Sequence, residues 1–303
     1  MGRIRPWQLA ALVVVICAGA LAVIFWVRTR PAKDVRSQLS RLPIGTGSIA
    51  YVDIATLRRS GIMSLLEQNS VAEEPDYRAF VNATGFDWRL DLDTVMLAFR
   101  QDERFILATG RFDWPKISRY AKAAGGACEN SLCRVSSTRA DYTISIMAIR
   151  TGVLAMAVST DRYAARILTD TSAPPRIDPP TDPAWLYLPK AALQPDEKTP
   201  AGLGSVLGAL AASEHAFLSV GGTVAQIEVR LMADCAEPGT AEKIATRLQD
   251  NTMLLKNLIA REGKAPSEDD LSGVLTAGQF GYRDRQVTGR WPVARKFLEK
   301  IVQ

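Results

Sequence analysis

Ala108-Thr-Gly-Arg-Phe-Asp-Trp-Pro115 returns in shorter form as Val287-Thr-Gly-Arg-Trp-Pro292. Ala83-Thr-Gly-Phe-Asp-Trp88 repeats part of the first phrase. Each phrase reads as a strand end, a glycine turn and a helix start. A proline suits the first turn of a helix, because the N–H it lacks would have no partner there.

The elements around the first phrase fall into a sequence. Ser48–Ile54 reads as a strand, and Ala55–Gln68 as an amphipathic helix with Leu57, Ile62, Leu65 and Leu66 roughly on one side. A short helix follows over Asp76–Ala83, ended by Gly85. Strands over Asp93–Arg100 and Arg104–Arg111 are joined by the polar turn Gln101-Asp102-Glu103. A helix starts near Trp114-Pro115 and ends at Gly125-Gly126. Strands over Arg134–Ser137, Tyr142–Arg150 and Val153–Ser159 follow, the last two linked by Thr151-Gly152. Asp161–Thr169 closes the unit as a helix.

The stretch 171–184 carries Pro174, Pro175, Pro179, Pro180 and Pro183 and reads as a linker. Beyond it lie a strand over Trp185–Leu188 and a helix over Gly202–Ala212. A strand pair, His215–Val220 and Val224–Asp234, turns about Gly221-Gly222. A long helix spans Ala241–Arg261, with a short helical turn after the polar segment Glu262–Asp270. A strand over Phe280–Thr288 and a helix over Trp291–Val302 end the chain. The order β-α-β-β-α-β therefore recurs loosely on both sides of the linker. It predicts an α+β protein of two ferredoxin-like units, each an antiparallel sheet covered by helices. The expected divisions are an N-terminal tail and anchor (1–27), a basic neck (28–44), a first unit (45–170), the linker (171–184) and a second unit (185–303).

The anchor expectation rests on Pro6–Val27, 22 residues without a charge. At about 1.5 Å per residue such a run matches a bilayer core of about 30 Å. Trp7 and Trp26 sit near its ends, where indoles favour an interface. Ala18-Gly19-Ala20 offers a signal-peptidase pattern, but the apolar run continues through Ile24, Phe25, Trp26 and Val27. The sequence thus predicts a single-pass protein of a bacterial inner membrane. The positive flanks at Arg28, Arg30, Lys33, Arg36 and Arg41 argue for a cytoplasmic C-terminal region. The cysteines argue for a periplasmic one, which is the expectation adopted.

The formal charge is +5, from 37 Lys/Arg and 32 Asp/Glu. Residues 1–41 hold seven of the basic residues and one acid, so the remainder is balanced, 30 against 31. That removes the electrostatic warrant for nucleic-acid binding. It leaves the neck, with the N-terminal helix, as an expected contact for membrane lipid. Cys128 and Cys133 frame a short polar turn, Cys-Glu-Asn-Ser-Leu-Cys, and the expectation is a disulfide stapling a hairpin. The spacing is not that of a redox Cys-x-x-Cys pair, and no second Cys/His cluster supports zinc. Cys235 reads as a buried apolar residue.

Catalytic chemistry finds little support. His215 is the chain's one histidine and cannot build a multi-histidine metal site. Gly202-Leu-Gly-Ser-Val-Leu-Gly208 has the wrong spacing for a dinucleotide loop and no preceding strand. Gly45-Thr-Gly-Ser48 lacks the lysine of a phosphate loop. Acids cluster at Asp87, Asp91 and Asp93 and again at Glu268, Asp269 and Asp270. The first set reads as an exposed strand entry. The second reads as a helix start capped by Ser267. No catalytic residue, cofactor or metal ligand is assigned.

The leading expectation is a membrane-anchored extracytoplasmic structural or binding protein with a protein partner in the envelope. The alternatives are an envelope hydrolase using Asp87, Asp91 and Asp93, and a small-molecule or lipid sensor binding between the two units.

Overall fold

Alternation builds the centre of the molecule. In Leu92–Arg100, Thr94, Met96 and Ala98 are buried on one face, while Val95 and Leu97 are half-buried on the other. A strand apolar on both faces must lie inside a sheet covered on both sides. The computed structural model describes residues 35–43, 45, 47–63, 74–195, 199, 201–223, 226–267 and 269–301. Its strands are β1 (Ile49–Asp53), β2 (Leu92–Arg100), β3 (Glu103–Gly110), β4 (Ala127–Glu129), β5 (Leu132–Ser136), β6 (Thr143–Arg150) and β7 (Val153–Ser159). They continue with β8 (Ala184–Pro189), β9 (His215–Thr223), β10 (Gln226–Asp234), β11 (Gln279–Arg283) and β12 (Gln286–Val293). Among the described residues they form one 12-stranded sheet, ordered β11-β12-β10-β9-β8-β1-β2-β3-β7-β6-β5-β4. Every pairing is antiparallel.

The sheet has an internal symmetry centred on the β1–β8 ladder, where Tyr51 lies opposite Trp185. Outward from it run β1-β2-β3-β7-β6 on one side and β8-β9-β10-β12-β11 on the other. The β4–β5 hairpin is an addition to the first half. The helices are α1 (Val35–Leu39), α2 (Ile54–Arg59), α3 (Pro75–Thr84), α4 (Trp88–Asp91), α5 (Trp114–Ala123), α6 (Ala201–Leu210), α7 (Pro238–Arg261), α8 (Leu271–Thr276) and α9 (Arg295–Ile301). Two 3₁₀ turns cover Ala164–Thr169 and Lys190–Leu193. On one face, α2 and α5 bury Ile54 and Ile117 against Ala108 and Leu154 of the first half. On the same face of the second half, α7 buries Ile244 and Leu248 against Leu231 and Val287. On the other face, Met96, Phe105 and Leu107 of the first half join Trp185 and Phe217 of the second in one core, covered by Leu39, Leu42 and Leu168. Each fully buried large side chain contributes about 1.5–3 kcal/mol relative to exposure.

Two ferredoxin-like units are therefore not what the chain forms. A split β-α-β unit sets another strand between its first two. Here β1 pairs directly with β2, β8 pairs directly with β9, and one sheet runs through both halves. The α+β class and the antiparallel pairing hold, as does a duplicated strand order, but the unit is different. The stretch 171–184 lies along this sheet. Ser172 N donates to Ser40 O at 2.7 Å, Asp53 N donates to Pro183 O at 2.6 Å, and Ile177 packs on the core.

The single-pass inner-membrane reading is corrected as well. Pro6–Val27, with the rest of residues 1–34, lies outside the described residues. Among those described, no helix is long and apolar enough to cross a membrane. The described part of the neck is no lipid-facing tether either. Leu39 and Leu42 are buried, Arg41 donates to the carbonyls of Leu168 and Thr169, and Arg36 pairs with Asp178 at 3.7 Å.

The echoed phrases part company in three dimensions. Ala108–Gly110 ends β3, and Asp113 caps α5 by accepting from Lys116 N. Val287–Pro292 lies wholly inside β12. Pro292 is tolerated there because β11 reaches only as far as Arg290, so nothing on that side needs its N–H. The expected single strand over 280–288 is a hairpin, β11–β12. It turns at Asp284, which takes the left-handed conformation (φ 53°) in a stretch without glycine. The expected turn at Gly221-Gly222 is instead strand. A Cβ on Gly221 would sit 2.2 Å from Asp182 Oδ1, and Gly222 has φ +107°.

Candidate binding site

Two of the three acids of the hydrolase reading, Asp87 and Asp91, are spent on local structure. Asp87 caps α4, accepting from Arg89 N at 3.0 Å, from Tyr77 OH at 2.9 Å and from the Arg89 guanidinium. Those hydrogen bonds, Arg89 first, hold its carboxyl below the usual value. A general acid needs the opposite shift. Asp91 accepts from Asp87 N at 2.9 Å and pairs with Arg111 at 2.7 Å. Asp91 and Asp93 line an open hollow of about 610 Å³ with Arg111, Asp113 and Lys116. Lys116 is itself paired to Asp113 at 3.4 Å. Among the described residues the Asp93 side chain has no hydrogen-bond or ion-pair partner, but Asp87 and Asp91 are held in caps and ion pairs, so no pair of free acids is left and the hydrolase reading is dropped.

The other candidates are equally structural. Asp270, not Ser267, caps α8 by accepting from Ser272 N at 2.7 Å; Glu268 lies outside the described residues. His215 Nε2 sits 3.0 Å from Asp234 Oδ2 across the β9–β10 ladder. Gly202–Gly208 is helix α6. Cys128 and Cys133 face each other across β4–β5 with their sulfurs 2.01 Å apart. Cys235 is buried, and burial raises its thiol pKa. Among the described residues no group of three or more His, Cys, Asp or Glu side chains converges to hold a metal. The place assigned to a sensor's ligand, between the halves, is filled by the β1–β8 ladder and the stacked rings of Tyr51 and Trp185, 5.3 Å apart.

The end of one helix presents an apolar surface. Helix α7 starts with Pro238 in its first turn and runs 24 residues without an internal glycine after Gly239. At about 1.5 Å per residue it is about 36 Å long. The 9-residue β10 and 8-residue β12 beneath it reach about 26–30 Å at about 3.3 Å per residue. Its buried residues are Ala241, Ile244, Ala245, Leu248 and Thr252, the helical spacing of one face. From Met253 to Arg261 none is buried, yet Met253, Leu254, Leu255, Leu258 and Ile259 are all large and apolar. Met253, Leu254 and Leu258 are 55 %, 58 % and 47 % exposed.

These turns border a groove of about 230 Å³ framed by α6, α7 and α8. Val206 lines one wall, Leu254 and Leu258 another, and Leu275 a third. Phe280 and Trp291 form the floor, packed edge to face at 5.1 Å. Leu271, at the start of α8, is 55 % exposed. Burial of Trp291 beneath the groove gives it a rigid base. Sequence reading missed these residues. Their signal was Met253-Leu-Leu255, which no single buried face of a helix can absorb.

The fold defines a class: a continuous antiparallel sheet of two topologically equivalent halves, helix-covered, with no assembled catalytic constellation among the described residues. No protein-family model and no curated protein matches the chain. Among solved structures it is similar to TP0453 in crystal form I, with a TM-score of 0.50 and 13 % identity over 89 % of this chain and 98 % of that one. Crystal form III of TP0453 gives a TM-score of 0.50 and 11 % identity over 88 % and 97 %. At that identity the likeness is one of fold.

Proposed function

We propose that this chain is a non-catalytic binding protein, and that the groove between α6, α7 and α8 receives an apolar helical segment of a protein partner. One observation carries the reading: none of the last nine residues of α7 is buried, and their leucines stand exposed beside a preformed apolar groove. Large apolar side chains gathered on one surface mark interaction sites more often than isolated ones do. A groove of this size takes one or two leucine-sized side chains, the anchor pattern of a helix laid in a groove.

The test uses a fluorescein-labelled synthetic helix with leucines at i, i+3, i+4 and i+7, followed by anisotropy. The full chain should bind it saturably, and Leu254→Glu/Leu258→Glu should weaken binding by about tenfold or more, the effect of losing a central anchor. Equal binding by both proteins would refute the site.

A further inference from the structure

The exposed end of α7 reads the same in both directions. Asp250, Leu254, Leu258 and Arg261 are all exposed. At 100° per residue they fall within an arc of about 80° on the helix surface. Turn the stripe end for end and an acid again meets a base, a leucine a leucine. Two such helices packed antiparallel place Asp250 of one opposite Arg261 of the other, and Leu254 opposite Leu258, twice over. The two pairings agree in register to within one residue. Among the described residues neither the Asp250 nor the Arg261 side chain has a hydrogen bond or ion pair with another group of its own chain. Their charges are therefore available to a neighbour.

From this we infer that the helical segment received at the α7 surface is α7 of a second copy, related by a two-fold axis near Lys256. The inference rests on the reading of that surface as a binding site and names its occupant. A two-fold contact must be self-complementary, and charge order along a single stripe is what makes this one so. At about 100° per residue Lys256 lies on the far side of α7 from the stripe, so it does not meet its own copy at the axis. The contact is small, built on one helix end and its neighbours, and belongs with weak, concentration-dependent dimers.

The experiment is sedimentation velocity of the full chain over a dilution series. The wild-type chain should pass from monomer to dimer with rising concentration. Asp250→Arg alone sets arginine against arginine at both ends of the contact, and Arg261→Asp alone sets acid against acid. Each should raise the dissociation constant by about tenfold, the combined effect of two exposed pairs turned repulsive. The double variant Asp250→Arg/Arg261→Asp restores opposite charges and should return to within about threefold of wild type. Residues 250 and 261 are too far apart to interact along their own helix, so rescue reports on pairing between chains. A chain that stays monomeric throughout, or a double variant no better than the singles, would overturn the inference. If the labelled helix still binds in a Leu254- and Leu258-dependent way while the chain stays monomeric, the groove stands and only self-pairing falls. If neither occurs, the binding site itself is refuted.

Discussion

Leu248 and Leu254 lie six residues apart on α7, and truncating each to alanine separates the two halves of that helix. Leu248 is 2 % exposed and packs in the cluster of Leu231, Ala233 and Trp291. Leu→Ala deletes three carbons there, about 0.8 kcal/mol each in transfer alone. The cavity left behind raises the cost to about 3–4 kcal/mol. Leu254 is 58 % exposed, so less than half of its side chain is out of water. The same truncation should cost about 1 kcal/mol or less. Both changes swap leucine for alanine inside one helix, so the difference in helix propensity cancels between them. The gap of about 2–3 kcal/mol is read from urea unfolding followed by circular dichroism, at a concentration too low for self-association, with m unchanged. If the two variants fall within about 0.5 kcal/mol of each other, Leu254 is covered within its own chain, and the exposed stripe does not exist in solution.

Asp87 should make the fold acid-sensitive. Hydrogen bonds lower its folded pKa, so its stabilisation is complete above the ordinary carboxylate value of about 4 and is lost as pH falls through the depressed one. Asp87→Asn keeps a capping oxygen but loses the charge in the Arg89 hydrogen bonds; it should cost about 1 kcal/mol at neutral pH and flatten that acid limb in thermal melts. Asp182 accepts from Ser219 Oγ at 2.6 Å and Arg230 Nη1 at 2.9 Å, pinning the end of the proline-rich stretch to β9 and β10. Asp182→Ala should destabilise by about 2 kcal/mol and speed proteolysis between residues 171 and 184. Cys235, buried and with a raised thiol pKa, should resist iodoacetamide until the chain unfolds. Cys128 and Cys133 should alkylate only after reduction, as peptide mass mapping would show.

Element positions were widely legible where local pattern sufficed. Strands β2, β3, β6 and β7 and helices α3, α5 and α7 appear within a few residues of their expected places. Alternation and helical spacing are short-range signals, and these segments obey them. The β11–β12 hairpin was missed because Asp284 makes its turn without glycine. The turn expected at Gly221-Gly222 was false because those glycines serve another purpose: Gly221 admits the Asp182 carboxylate. The acids at Asp87 and Asp91 looked like a cluster in sequence. Only their partners, Arg89, Tyr77 and Arg111, show them to be caps and ion pairs.

By itself the sequence determined an α+β chain with antiparallel strands, a duplicated order and a balanced charge after residue 41. Those properties follow from side-chain period and composition, which are carried residue by residue. The tertiary structure alone decided that both halves share one sheet, because the β1–β8 ladder joins strands 135 residues apart, Ile49 lying opposite Tyr187 and Ala184 opposite Val52. It also decided where α7 stops being core and becomes surface. Leu248 and Leu254 are chemically the same, and what separates them is the side of α7 each occupies: six residues at about 100° each set them about 120° apart, so Leu248 meets Leu231, Ala233 and Trp291 while Leu254 stays mostly in water.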